Sequence, residues 1–245
     1  MADRIFEIGE AGLETTDQRI RKLMDNLVSS QVPGYKKSEA VVRGFPLELE
    51  AANQKLSAMK PQVEGTFYSN IQGALIKTDG KFDLALGSEG YFVLAGPWGE
   101  GYTRDGRFRL DKDGRVLSVA GNFPVLGQGG PIVVTPGAEI EFTQNGEVKV
   151  DGVVVDHIRV VQPERKDALE SLSGSIFKRK DPNVVLQELE NPRVIQGYVE
   201  ASNVSVVDQM MEMILLERIY NINTKLISSR DANLARAMDL GRPTQ

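Results

Sequence analysis

Five Asp-Gly or Asn-Gly dipeptides fall between residues 79 and 152: Asp79-Gly80, Asp105-Gly106, Asp113-Gly114, Asn145-Gly146 and Asp151-Gly152. A two-residue hairpin turn needs positive φ at its central positions, which Asp, Asn and Gly adopt at the least steric cost. This punctuation commits the middle of the chain to antiparallel hairpins. The segments 91–95, 107–110, 115–119, 132–135, 140–143, 148–150 and 153–161 are short and β-branched or alternating, as strands between such turns should be. Gly130-Pro131 and Thr135-Pro136-Gly137 add further turns. Residues 82 to about 163 therefore read as one all-β core, an antiparallel meander or small barrel.

The ends of the chain have a different period. Residues 3–30 contain no proline, and Phe6, Leu13, Ile20 and Leu27 recur every seven residues, with Leu23 adding a second row. So narrow a stripe among charged residues belongs to a helix that buries one seam against another helix. Val32-Pro33-Gly34 ends it, because proline lacks a donor and disfavours helix just before itself. At the other end Val207, Met211, Leu215, Ile219, Ile222 and Leu226 are spaced 4, 4, 4, 3 and 4, which predicts a helix from about 206 to 239. Asn203 or Ser205 is placed to cap it, and Gly241 and Pro243 to stop it.

The expected fold is mixed α and β, with the two terminal helices pairing in a coiled-coil-like manner around a central antiparallel β domain. The expected divisions are an N-terminal helix at 1–32, a connecting segment at 33–81, the β domain at 82–200 and a C-terminal helix at 201–245. Within the connecting segment, 38–60 reads as partly helical and 63–77 as extended. Residues 164–181, which include Lys178-Arg179-Lys180, read as a solvated polar loop.

Composition removes whole classes of function. With 29 basic against 34 acidic residues the net charge is −5, so no general phosphate-neutralising surface exists and nucleic acid is not an expected partner. The most hydrophobic stretch, residues 210–216, is cut by Glu212 and is far short of the roughly 18–20 apolar residues that span a bilayer, so no membrane insertion is expected. Asp3, Arg4 and Glu7 leave no room for an apolar secretion-signal core near the N-terminus, so no cleavable signal peptide is expected.

Chemistry fares no better. There is no cysteine, and the single histidine, His157, sits in an alternating strand with no nucleophile pattern near it. Asp111-Lys112-Asp113-Gly114 resembles a fragment of a calcium loop. With Gly114 as that loop's glycine, however, Arg109 and Ala120 would occupy the first and last ligand positions, and neither coordinates calcium as required. Gly127-Gln128-Gly129-Gly130 lacks the Lys-Ser/Thr of a phosphate loop. No catalytic, cofactor-binding or metal-ligating residue is expected. The alternative from another class is a carbohydrate-binding protein or glycoside hydrolase, with Trp98, Tyr91 and Tyr102 as a stacking platform and a carboxylate pair about 5–9.5 Å apart.

Four stretches carry a family resemblance. Residues 26–36, Asn-Leu-Val-Ser-Ser-Gln-Val-Pro-Gly-Tyr-Lys, resemble the Asn-Leu-Ala-Asn and Thr-Pro-Gly-Tyr/Phe-Lys signature of bacterial flagellar rod and hook axial proteins, with Val28, Ser29 and Val32 replacing the usual Ala, Asn and Thr. Gly101-Tyr102-Thr103-Arg104-Asp105-Gly106-Arg107-Phe108 is similar to the family's central hairpin motif. Residues 196–204, with Ser202 and Asn203, resemble the lead into its C-terminal helix, and 217–223 resemble that helix. Asn26, Leu27, Pro33, Gly34 and Tyr35 are the matching positions at the N-terminal end.

The resemblance implies a non-enzymatic structural subunit of the basal-body rod, without cofactor, in the periplasmic space. It implies export through the flagellar type III apparatus in an unfolded state, and assembly with copies of itself and with other rod and hook proteins. Terminal helices would line the inner wall and the β domain the outer layer of a shaft that carries torque from motor to hook. Residues 127–132 look more like the proximal rod type, and the stretch from Asn203 resembles the distal type about equally; the proximal type is favoured. Phe6, Leu13, Ile20, Leu23 and Leu27 are expected to pack with Val207, Met211, Leu215, Ile219, Ile222 and Leu226.

Overall fold

A computed structural model describes residues 2–51, 54–165 and 168–240, which divide into two compact units. One unit holds the residues up to Leu27, Ser38–Phe67 and those from Ser205; the other holds Val28–Lys37 and Tyr68–Val204.

The first unit is built on α1 (Ala2–Val28) and α2 (Val206–Leu240), both close to the bounds their periodicity predicts. α1 tightens into a single 3-10 turn at Ser29–Gln31 before Pro33, where helical backbone is no longer tolerated. Ser205 caps α2, its Oγ accepting from the Asp208 amide at 3.4 Å, and Asp208 adds a negative charge in the first turn where the helix dipole favours one.

The two helices touch each other as antiparallel neighbours. Arg19 pairs with Glu212 at 3.2 Å, and a methyl group added to Gly12 or Gly9 would meet Asn223 or Ile227. Between them in sequence lies a hairpin of β1 (Ser38–Ala51) and β2 (Gln54–Tyr68), which replaces the partly helical segment expected at 38–60. Gly44, Pro46 and Pro61 explain the difference: they outweigh the helix-forming Ala, Leu, Glu and Lys around them.

The second unit is all β apart from the 3-10 turn. In chain order its strands are β3 (Leu75–Lys77), β4 (Leu84–Leu86), β5 (Tyr91–Gly96), β6 (Gly99–Thr103), β7 (Phe108–Leu110) and β8 (Val116–Ser118). Then come β9 (Leu126–Gly127), β10 (Gly130–Pro131), β11 (Ile140–Phe142), β12 (Glu147–Val150), β13 (Val153–His157) and β14 (Val160–Pro163). The last are β15 (Leu169–Ser173), β16 (Ile176–Arg179), β17 (Leu186–Glu188), β18 (Val194–Gln196) and β19 (Tyr198–Glu200).

The largest sheet runs β15-β16-β6-β5-β14-β17, and β11-β12-β13 form a second; the remaining strands of this unit pair two by two. β5 explains its own sequence. Phe92 and Leu94 enter one hydrophobic cluster with Leu84, Phe108 and Val160, while Tyr91 and Val93 enter another with Tyr102 and Phe177. A strand buried on both faces reads as a continuous apolar run, and each such side chain contributes about 1.5–3 kcal/mol by burial.

The turn signals mostly do what they predict. Asp151 and Gly152, with φ of 50° and 81°, form the two-residue turn between β12 and β13. Asp105-Gly106 is different: it joins β6 to β7 without positive φ, and Gly106 is required because a side chain there would collide with the Leu84 carbonyl. The polar stretch 164–181 is also not a loop throughout. β15 and β16 form a hairpin in the large sheet, with Lys178 paired to Glu170 at 3.0 Å.

Candidate assembly surface and buried charge cluster

The three motif stretches of the second unit converge on one carboxylate. Glu200, at the end of β19, is 1% exposed. Its Oε1 accepts from Lys36 Nζ at 2.8 Å and from the Gly73 amide at 2.9 Å, and its Oε2 accepts from Arg104 Nε at 2.6 Å. Lys36 Nζ also donates to the Ile71 carbonyl at 2.9 Å, and Arg104 spends its remaining donors on the carbonyls of Ser88, Gly90 and Leu86. Two cations share one anion in a water-free site, so backbone carbonyls supply the rest of the compensation. Burial pulls the Lys36 ammonium below its ordinary range, against the opposing pull of Glu200.

The backbone is moulded around this cluster. Gly34, at φ 69°, donates its amide to the Glu200 carbonyl at 2.8 Å and lies so close to the Arg104-Asp105 peptide that no side chain fits. Asn203 accepts from the Lys37 amide at 2.7 Å and donates to the carbonyls of Ser69 and Ile71, which is why Ser205 and not Asn203 caps α2. Thr103 Oγ1 donates to the Ser175 carbonyl, and Asp105 is fully buried while accepting two bonds from the Arg107 guanidinium. Tyr35 is buried, and the Ser202 hydroxyl accepts from the Val204 amide. Tyr102 donates to Glu100 at 3.0 Å and accepts from Arg179 at 2.8 Å.

Beside the cluster, Tyr91 is buried against Phe177, and burial pushes its phenol up from 10.0 to about 12. Between those values the folded chain keeps a proton that the unfolded chain has released, so stability falls as pH rises through that window. The denaturation midpoint is expected to drop more steeply from pH 10 to 12 in the native chain than in Tyr91→Phe. Parallel slopes would show that Tyr91 does not titrate this way.

The same geometry removes the sugar-stacking alternative. Tyr91 and Tyr102 are core residues, and Trp98 packs edge-on against Phe123 at 4.6 Å rather than opening a platform. His157 lies on β13, and Asp111 turns its carboxylate onto the amides of Asp113 and Arg115 and the Arg115 side chain. Among the described residues no group of three or more His, Asp or Glu side chains is placed to hold a metal, and no helix is long and apolar enough to cross a membrane.

Comparison with known proteins agrees with this arrangement of motifs. Residues 195–240 match the family described as "Flagellar basal body rod FlgEFG protein C-terminal", and residues 85–154 match "Flagellar hook protein FlgE/F/G D1 domain". The flagellar basal-body rod protein FlgF of Escherichia coli strain K12 is 32% identical over 231 residues, covering 88% of this chain and 89% of the relative. The chain belongs to the flagellar basal-body rod protein family. Rod proteins of both named kinds are similar to it: FlgF of Rhizobium meliloti is 28% identical with 91% of each chain covered, and FlgG of Buchnera aphidicola from Acyrthosiphon pisum is 28% identical with 95% of this chain and 98% of the relative covered.

In this rod protein the apolar row read from the C-terminal helix faces outward. Val207, Met211, Leu215, Ile219, Ile222 and Leu226 range from 37% (Ile219) to 66% (Val207) exposed, and Met210 and Ile214 extend the patch. Gln209 and Leu216 are the buried residues of α2, so the expected packing of the row on α1 is not what the single chain shows. On α1, Leu23 is buried while Leu13, Ile20 and Leu27 are half-buried; Ala11, Thr15, Thr16 and Asn26 complete the buried side. The side chain of Phe6 lies outside the described residues.

Lys36, Glu200, Ser38 and Gln209 were not legible as site residues. Lys36 and Glu200 stand inside motif stretches, and a charge flanked by Gly-Tyr or by Tyr-Val and Ala is the only signal that marks them.

Proposed function

We propose that this rod protein polymerises through the exposed row of α2, which meets other copies of the chain or other rod and hook proteins in a coiled-coil-like seam. The observation that carries the proposal is the row itself: six apolar side chains at helical spacing on one solvent-facing side of a 35-residue helix. A contiguous apolar face of that kind marks an interaction surface. The assembled shaft transmits torque from motor to hook and performs no catalysis. The β unit, locked by its buried charge cluster, supplies a body that does not yield under load. Export through the flagellar type III apparatus, residence in the periplasmic part of the basal body and a proximal place in the rod follow the resemblance of the motif stretches.

The test is isolation of basal bodies from cells carrying a tagged copy as the sole source of the chain. Co-purification of the tag with the rod, resistant to salt and mild detergent, is expected. Recovery of the tag only from the soluble fraction of motile cells would end the proposal.

A further inference from the structure

In the helical unit one carboxamide makes four hydrogen bonds. Asn26 Oδ1 accepts from the Ser38 amide at 2.9 Å and from Ser38 Oγ at 3.2 Å, while its Nδ2 donates to the Ser38 carbonyl at 2.8 Å and to Gln209 Oε1 at 2.9 Å. Towards Ser38 the side chain behaves as a neighbouring strand would, matching both a donor and an acceptor of the first residue of β1. Towards Gln209 it reaches across to the first turn of α2. Asn26, Ser38 and Gln209 are all nearly inaccessible to solvent.

The rest of the contact between the helices is tolerant of sliding. α1 offers small residues, Gly9, Ala11 and Gly12, and its apolar rows repeat every seven residues, so a shift of one repeat sets like against like. A shift would not be tolerated at Asn26 and Gln209, because it would strand two buried amides at about 1–3 kcal/mol each. A buried polar pair of this kind adds little net stability over an apolar pair of the same volume; its best attested use is to select one register.

We propose that the Asn26–Gln209 hydrogen bond, anchored through Asn26 on Ser38, sets the axial register of α1 against α2. It thereby fixes where along the helix the outward row presents its side chains. The assignment concerns the single chain and does not depend on how, or whether, copies assemble.

Absence of cysteine makes the register readable by disulfide capture. A Cβ on Gly9 would lie 3.4 Å from Ile227 Cγ1, so Gly9→Cys with Ile227→Cys reports the native register. Gly9→Cys with Tyr220→Cys reports a slide of one seven-residue repeat. In the otherwise native full-length chain, dilute oxidation is expected to close only the Ile227→Cys pair within a single chain. Adding Asn26→Leu and Gln209→Leu is expected to raise closure of the Tyr220→Cys pair several-fold while the helical circular dichroism is kept.

Gln209→Met alone leaves the Asn26–Ser38 bonds in place and gives the same readout if the double change does not fold. A purely stabilising role would lower the melting temperature without moving the ratio of the two captures. Exclusive capture at Ile227→Cys in either polar-to-apolar background would overturn the proposal.

Discussion

Leu215→Glu combined with Leu226→Glu is expected to abolish incorporation into the rod while shifting the melting temperature of the isolated chain very little. Both side chains are more than half exposed in the single chain, so replacing them removes almost no internal packing. Glutamate keeps the helix propensity of leucine, and surface changes of this kind usually fall within about 0.5 kcal/mol. In an assembled seam the same positions would be dry. Each leucine buried there is worth about 1.5–3 kcal/mol, and a carboxylate in its place must be desolvated without a partner. The loss recurs at every copy, so the expected readout is non-motile cells that lack a complete rod.

Leu216→Glu and Leu23→Asp are the matched controls, since these two side chains are buried within the helical unit. They are expected to lower both the stability of that unit and assembly, with the β unit left folded. Swimming cells with intact rods carrying Leu215→Glu and Leu226→Glu would remove α2's outer row from the assembly surface.

The inverted face of α2 shows where sequence reasoning stops. Its bounds were legible because a proline-free run with a 3.6-residue period ends in a glycine and a proline, and the hairpin region was legible because its turns demand Asp, Asn and Gly. Which side of α2 faces α1 was not legible. In a lone soluble helix the most apolar row points inward, but a subunit that joins others distributes apolar surface between its own core and its neighbours. Here Gln209 points inward and Val207 outward, and only the position of Asn26 explains it.

The hairpin Ser38–Tyr68 was misread for a related reason. Propensity is a weak prior, and Pro46 and Pro61 decide the backbone against many good helix formers. Lys178 and Arg179 read as solvated because their partners, Glu170 and Glu100, come from other strands.

Glu200→Gln is expected to destabilise the β unit by about 3–5 kcal/mol, because it leaves two cations buried without the anion between them. The amide still fills the space and offers one oxygen, so the change isolates charge from shape. Trp98, the only tryptophan, lies in the β unit and reports its unfolding in urea directly. The midpoint is expected to fall with the slope unchanged.

Lys36→Met in the Glu200→Gln background should recover part of the loss, since it removes one stranded cation while the glutamine oxygen remains for Arg104. A simple sum of the two single effects would show that Lys36 and Glu200 do not act as a pair.

The pH dependence separates this account from a packing defect. Burial already holds the Lys36 ammonium below its ordinary range, and Glu200 is the main group resisting that pull. Without the carboxylate the folded-state value falls further, so over a wider alkaline window the unfolded chain binds a proton that the folded chain has lost. Stability then rises with pH across that window. The penalty of Glu200→Gln is therefore expected to shrink as pH climbs towards 10.5, the ordinary value for lysine, and to become flat once Lys36→Met is added. A penalty independent of pH in both backgrounds would mean that Lys36 is not a stranded charge, and that Glu200 holds the fold through its backbone-facing hydrogen bonds alone.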